Sequence, residues 1–229
     1  MRIRFGTTLL VSFLWMSGLS VSAVTSKSET KLARIKIRIW DTVQIYSEVL
    51  DRAKAITQKA YEPAGIEIAW CHCIAVPTKE NFECANPVGP NDISVRIYQS
   101  ARDKLSKVGH FTGGAAIPLV PNGVQGIVFL LYDRLEKTAK NEKVPLEVVL
   151  GITMAHEIGH LVISTAHALE GIMRGNLTGK DWALASRGKL RFHPREVEIM
   201  KNREIGLTQI DQHRGVLPNK MEARYSSPS

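Results

Sequence analysis

The feature that most constrains this chain is a pair of histidines four residues apart inside an apolar segment. Residues 156–160 have the sequence HEIGH, an H-E-x-x-H pattern. Pro145 favours a first helical turn, and we predict a helix from Leu146 to Ile163. A spacing of four places both imidazoles on one helix face, about one turn apart. His156 and His160 can then bind one zinc ion, with Glu157 beside it as a general base.

The other faces of this helix are apolar, as a buried active-site helix requires; the residues concerned are Val148, Val149, Ile152, Ile158 and Val162. Gly151 and Gly159 leave room for close neighbours. The structural alternative is a helix whose two histidines and one carboxylate only satisfy each other. We favour the metal, because polar groups on a buried helix need partners and a metal ion supplies them best.

A catalytic zinc usually has three protein ligands and one position open to water. His167 lies seven residues after His160 and is our predicted third ligand. If His167 is not a ligand, a carboxylate from the last helix, Glu196 or Glu198, is the alternative. Met173 stands after a turn in the same region.

From Ala64 to Met173 the chain resembles the metzincin branch of zinc-dependent peptidases, including a group of secreted bacterial proteins of that type. The resemblance implies one catalytic Zn²⁺ ion, held by His156, His160 and His167, and a turn at Met173 that underlies the metal. The common pattern is H-E-x-x-H-x-x-G-x-x-H. This chain departs from it, because residue 163 is isoleucine rather than glycine and the third histidine arrives one residue late.

The resemblance also implies an activity. We expect a secreted zinc-dependent peptidase that hydrolyses peptide bonds with a zinc-bound water and Glu157 as general base. Its substrate would be a peptide or protein that pairs with an edge strand; the residues expected to form that edge are Gly126, Ile127, Val128 and Phe129. The alternative is a catalytically weak or inactive protein that binds a metal or a partner on the same scaffold. The altered spacing of the third histidine keeps this alternative open.

Periodicity predicts an α/β (α+β) fold, and the resemblance implies that it is of zincin type. Strands are expected over residues 33–40, 66–70, 93–98 and 126–132, with a long loop over 109–126. A helix capped by Asp41 and Thr42 should run to about residue 60. The expected architecture is a small mixed twisted sheet packed against this long N-terminal helix and the active-site helix. A C-terminal helix over 194–203 follows the methionine turn.

The N-terminus has the pattern of a signal peptide. Arg2 and Arg4 precede an apolar run that is short for a membrane span, and Ala23 ends a small-residue cleavage site. We expect a signal peptide over 1–23, with an uncleaved anchor as the alternative. The protein would be secreted or periplasmic, and the mature chain has no further segment of spanning length. A catalytic domain over 24–203 and a loosely ordered tail over 204–229 would follow.

Three cysteines fall in one stretch of the chain. An oxidising compartment permits a disulfide to Cys84 from Cys73 or from Cys71. Cys71, His72 and Cys73 are also a conceivable ligand set for a second metal. A structural disulfide is preferred, because an extended strand sends neighbouring side chains to different sides.

The charge balance excludes little. The chain has 30 Lys plus Arg against 22 Asp plus Glu, a net charge of +8. These basic residues are spread along the chain without a motif that reads nucleic acid. We therefore expect the protein to act on a peptide or protein and not on nucleic acid. The expected oligomeric state is a monomer.

Overall fold

A computed structural model describes residues 33–73, 84, 89, 91–99, 113–121, 123–164 and 166–203. The predicted signal peptide over 1–23 and the predicted tail over 204–229 lie outside these residues.

One mixed sheet forms the frame of the domain. Its strands are β1 (Ala33–Asp41), β2 (Ile66–Cys73), β3 (Asp92–Tyr98), β4 (Gly114–Pro118) and β5 (Gly126–Leu131). Their order in the sheet is β2-β1-β3-β5-β4. All neighbouring pairs are parallel except β4 and β5, which are antiparallel. The alternating isoleucines of β1 point into the core, where Ile35, Ile37 and Ile39 are at most 1% exposed.

Two strand predictions were wrong. Residues 114–118, expected inside a long loop, form β4 at one edge of the sheet. The stretch Gly126-Ile127-Val128-Phe129, expected to be an edge, belongs to β5 and is paired on both sides by β3 and β4. The near-continuous apolar sequence of β5 is typical of a strand covered on both faces. The Gly and Pro residues of this stretch led us to predict a loop instead of β4. Pro118 is the last residue of the strand and lies at a sheet edge, where proline is tolerated.

The described helices are α1 (Ser47–Tyr61), α2 (Tyr132–Glu142), α3 (Leu146–Ile163), α4 (Gly179–Ser186) and α5 (residues 194–203). The bounds of α3 agree with the prediction. The predicted cap of α1 was wrong, because the Asp41 carboxylate accepts hydrogen bonds from the N–H groups of Val43, Gln44 and Ile45. This satisfies the carboxylate in a turn, and α1 begins only at Ser47.

Helix α3 is held in place by α1. The Tyr61 hydroxyl donates to the carbonyl of Ala155 at 2.8 Å, and the Thr57 hydroxyl lies 3.0 Å from the carbonyl of Gly151. A Cβ at Gly151 would lie 2.7 Å from the Ala53 carbonyl oxygen. The glycine therefore lets the two helices approach closely. Among the described residues, α3 alone is long and apolar enough to cross a membrane, and 78% of it is buried inside the domain.

The opposite face of the sheet carries polar groups. Arg38 is buried and binds Asp92, with a shortest N–O distance of 2.6 Å. Cys73 and Cys84 form a disulfide, with a Cα–Cα distance of 5.7 Å. Cys71 lies two residues before Cys73 on β2, so both side chains leave the same face of the strand. Both are buried.

Removal of the Tyr61 hydroxyl tests the contact between α1 and α3. We expect Tyr61→Phe to lower the free energy of unfolding by about 1–2 kcal/mol, because a buried hydrogen bond is lost. Denaturant unfolding measures this change. The matched control is Tyr46→Phe, since Tyr46 is 84% exposed. Equal stabilities of the two variants would contradict the account.

Candidate metal centre

Three imidazoles converge at the C-terminal end of α3. His156 and His160 lie on the helix, and His167 lies on the segment that follows it. The ring centroids are 4.8 Å apart for His156 and His160, 5.2 Å for His156 and His167, and 4.9 Å for His160 and His167. One ring nitrogen from each residue lies within 4.8 Å of the others. The structure thus brings together all three histidines that the sequence singled out.

The tautomer of His156 is fixed by a backbone contact. Its Nδ1 lies 2.7 Å from the carbonyl oxygen of Ile172. A carbonyl only accepts hydrogen bonds, so Nδ1 carries the proton and Nε2 keeps its lone pair. That Nε2 lies 3.1 Å from the Nε2 of His160. Burial, with a smaller contribution from the neighbouring histidines, lowers the pKa of His156 to about 4. The ring is therefore neutral at pH 7, the form that binds metals.

The position at which α3 ends explains why the third histidine lies one residue further along the chain than in the common pattern. The helix ends at Ser164, which has φ +56° and donates its N–H to the carbonyl of His160. Ser164 precedes His167 by three residues, as the glycine of the metzincin pattern precedes its last histidine. Both positions are therefore displaced by one residue from that pattern. Arg203 donates to the Ser164 hydroxyl at 2.6 Å and to the Gly123 carbonyl at 2.9 Å, which holds this left-handed residue.

Backbone contacts fix the segment that carries His167. The N–H of Ala168 donates to the carbonyl of Met173 at 2.8 Å, and the N–H of Ile172 donates to the carbonyl of Arg191 at 2.9 Å. Gly175 lies directly against the imidazole, since a Cβ there would be 3.0 Å from the ring of His167. The loop is therefore closed on itself and packed against the ligand.

Met173 lies beneath the histidine-bearing turn of α3. It is fully buried. A Cβ at Gly159 would lie 2.5 Å from the Met173 sulfur and 3.2 Å from the ring of Phe192. Gly159, between the two helical histidines, is thus the position that admits the methionine.

Glu157 stands beside the cluster but outside it. Its side chain is buried, and burial raises its pKa to about 8. A Cβ at Gly114 would lie 2.7 Å from its Cγ, so the edge strand β4 passes directly over the carboxylate. Burial is the cause of this pKa shift, with no contribution from a hydrogen bond or a charge of the described residues. The group is desolvated and available for proton transfer.

A cavity of about 230 Å³ opens beside His156 and Glu157. Its walls include the apolar side chains of Leu135, Val149 and Trp182. Arg174 lies at its margin and is paired with Asp181 at 3.3 Å. The centre therefore adjoins a pocket in which polar side chains, such as those of Thr153 and Asn176, stand beside these apolar ones.

The alternative ligands from the last helix do not reach the cluster. The Glu196 carboxylate accepts the N–H of His193 at 2.7 Å, where α5 begins. Neither Glu196 nor Glu198 belongs to a group of potential metal ligands among the described residues. Sequence reasoning missed Gly114 and Gly175, because their contacts with Glu157 and His167 join residues that are not neighbours in any motif.

No protein-family model matches this sequence, and no curated protein matches it. Among solved structures, the crystal structure of archaemetzincin from Methanopyrus kandleri is similar, with 14% sequence identity and a TM-score of 0.43. The match covers 75% of this chain and 96% of that chain.

A methyl group at Gly175 should disturb His167 and weaken metal binding. We expect Gly175→Ala to raise the Kd for zinc about 10-fold or more, as is typical when the support of a ligand is changed. Competition with a chromogenic chelator measures this. Gly179→Ala is the control, since a Cβ there meets only the Glu142 carboxylate at 3.3 Å. The same Kd in both variants would show that His167 is not held as described.

The raised pKa of Glu157 predicts a pH-dependent stability of the metal-free protein. Between the ordinary pKa of 4.5 and about 8, the folded chain keeps a proton that the unfolded chain releases. This carboxyl group therefore lowers stability as pH rises through that window. Glu157→Gln should remove the effect, so its advantage over wild type should grow from pH 5 to about pH 8. Thermal unfolding in the presence of EDTA measures it, and a constant difference would contradict the burial of this group.

Proposed function

We propose that this chain is a zinc-dependent peptidase, with His156, His160 and His167 as zinc ligands and Glu157 as general base. The observation that carries the proposal is the convergence of three imidazoles beside a buried carboxylate that is not a ligand. Three of these four side chains are fixed by one helix that is packed on most of its surface. Rigid placement of this kind is what a catalytic constellation needs.

The donor set fits zinc. Three neutral imidazole nitrogens can occupy three tetrahedral positions and leave the fourth open, as catalytic zinc sites do. His156 has the second hydrogen bond, to the Ile172 carbonyl, that orients such ligands. When bound, zinc supplies a Lewis acid that polarises a peptide carbonyl and acidifies water.

Glu157 moves the proton. Its carboxylate accepts the proton of the attacking water and returns it to the amine that leaves when the peptide bond breaks. Burial raises the pKa of this carboxyl in the metal-free chain, and a zinc ion bound beside it would favour the ionised form that accepts the proton.

The edge strand β4 offers a place for an extended substrate. It lies at the end of the sheet, and its residue Gly114 touches Glu157. A peptide that adds to this edge by backbone hydrogen bonds brings a scissile bond beside the carboxylate. The adjoining 230 Å³ cavity would then receive one substrate side chain. We therefore assign the substrate-binding edge to β4 and not to the stretch 126–129, which is paired on both sides.

The proposal includes export through the signal peptide over 1–23. The disulfide between Cys73 and Cys84 supports an oxidising compartment, where such bonds persist. The alternative of a metal-binding protein without turnover is less well supported. The altered spacing that favoured it leaves His167 in the cluster, and a purely structural metal site has no need of Glu157.

Metal content and peptide cleavage, measured together, test the proposal. Wild type should contain about one zinc per chain and cleave members of a mixed peptide library. Glu157→Gln should keep zinc and lose at least about 10²-fold in kcat/KM. His167→Ala should lose zinc, whereas the control His72→Gln, at an exposed histidine of β2, should change neither.

Two results would contradict the proposal in different ways. Stoichiometric zinc in a wild-type protein that cleaves no peptide would favour the binding protein. Absence of zinc from wild type would show that the three histidines do not form a metal centre.

A further inference from the structure

Three sulfur atoms lie together on the face of the sheet that carries Arg38 and Asp92. Cys73 and Cys84 are bonded, and the sulfur of Cys71 lies 2.9 Å from that of Cys84 and 3.9 Å from that of Cys73. Cys71 and Cys73 are both buried and leave the same face of β2. The sulfur of Cys84 is thus within reach of two different cysteines.

We propose that this cluster is a thiol–disulfide exchange site, in which Cys84 pairs alternately with Cys73 and Cys71. The proposal does not depend on the metal centre.

The exchange is balanced within the chain. The Cys71 thiol loses its proton, and its thiolate attacks the Cys84 sulfur, which is the nearer of the two bonded sulfur atoms. The bond between Cys84 and Cys73 breaks, its electron pair passes to Cys73, and Cys73 takes up a proton. One disulfide and one thiol are present before and after, so no outside oxidant or reductant takes part.

Arg38 holds the backbone of Cys84, the residue whose sulfur changes partner. Its guanidinium donates to the backbone carbonyl of Cys84 at 3.0 Å, and the same side chain is fixed by the ion pair with Asp92. This contact involves the backbone of Cys84 and not its sulfur. It therefore keeps Cys84 over β2 whichever disulfide is present. Arg38 and Cys71 are also register partners on adjacent strands, so both leave the same face of the sheet.

The consequence is a change in which residue of β2 bears the disulfide. Cys84 stays in place while its bond passes between Cys73 and Cys71, whose sulfur atoms lie 3.9 Å apart. The strand β2 lies at the opposite end of the sheet from β4.

Thiol counts in single-cysteine variants of the full chain test the proposal. After equilibration in a glutathione buffer, thiols are trapped with N-ethylmaleimide in denaturant at mildly acidic pH, where exchange is slow. We expect about one thiol per chain in wild type and about none in both Cys71→Ser and Cys73→Ser, since either partner can bond to Cys84. The control Cys84→Ser should show about two thiols. Two thiols in a Cys73→Ser variant would overturn the proposal.

A second measurement covers the case in which a variant does not fold. In wild type, fragmentation mass spectrometry of the trapped peptide locates the maleimide on Cys71 or on Cys73. Exchange predicts a mixture of both labelled forms, whose ratio is the same whether the unlabelled protein is equilibrated at pH 8 for minutes or for hours before trapping. Label on Cys71 alone under all conditions would overturn the proposal.

Discussion

Burial of α3 is the constraint on which the rest of the structure depends. The helix is packed by α1, by the sheet and by the chain that follows it, yet it carries two imidazoles and a carboxylate. Polar groups in such a place are costly unless each has a partner. His156 has the Ile172 carbonyl on one ring nitrogen. Its other nitrogen lies 3.1 Å from the Nε2 of His160, and one ring nitrogen from each of the three histidines lies within 4.8 Å of the others, a spacing that one cation can bridge.

Close packing around the histidine cluster depends on glycines at three positions. Gly114 leaves space for Glu157, Gly159 for Met173, and Gly175 for His167. Each glycine lies on a different segment of the chain, so the geometry of the centre is specified by three separate backbone approaches. The left-handed Ser164, held by Arg203, sets the direction in which the chain leaves the helix and allows His167 to return.

The sequence was most informative where one periodicity ran without interruption. Pro145 and the aliphatic stretch behind it defined α3, and the alternating isoleucines defined β1. Prediction failed where the role of a residue depends on contacts that the local sequence pattern does not show. Asp41 was predicted to cap a helix, but its carboxylate accepts backbone hydrogen bonds in a turn. Gly114 made β4 look like a loop, although a glycine is needed there because the strand lies against Glu157. The helices α2 and α4 are short, and each buries only two apolar side chains, those of Leu135 and Ala139 in α2 and of Trp182 and Ala185 in α4.

The three histidines could be named from spacing because two of them share a helix face. The displacement of the third by one residue could not be interpreted from sequence, since it depends on where the helix ends. The structure shows Ile163 still helical and Ser164 in the turn.

The central claim is that His167 completes the centre. X-ray absorption at the zinc edge of the metal-loaded wild-type protein tests it most directly. The account predicts three imidazole nitrogens and one further light ligand at about 2.0–2.1 Å. A zinc bound by sulfur, or by only two imidazoles, would contradict it.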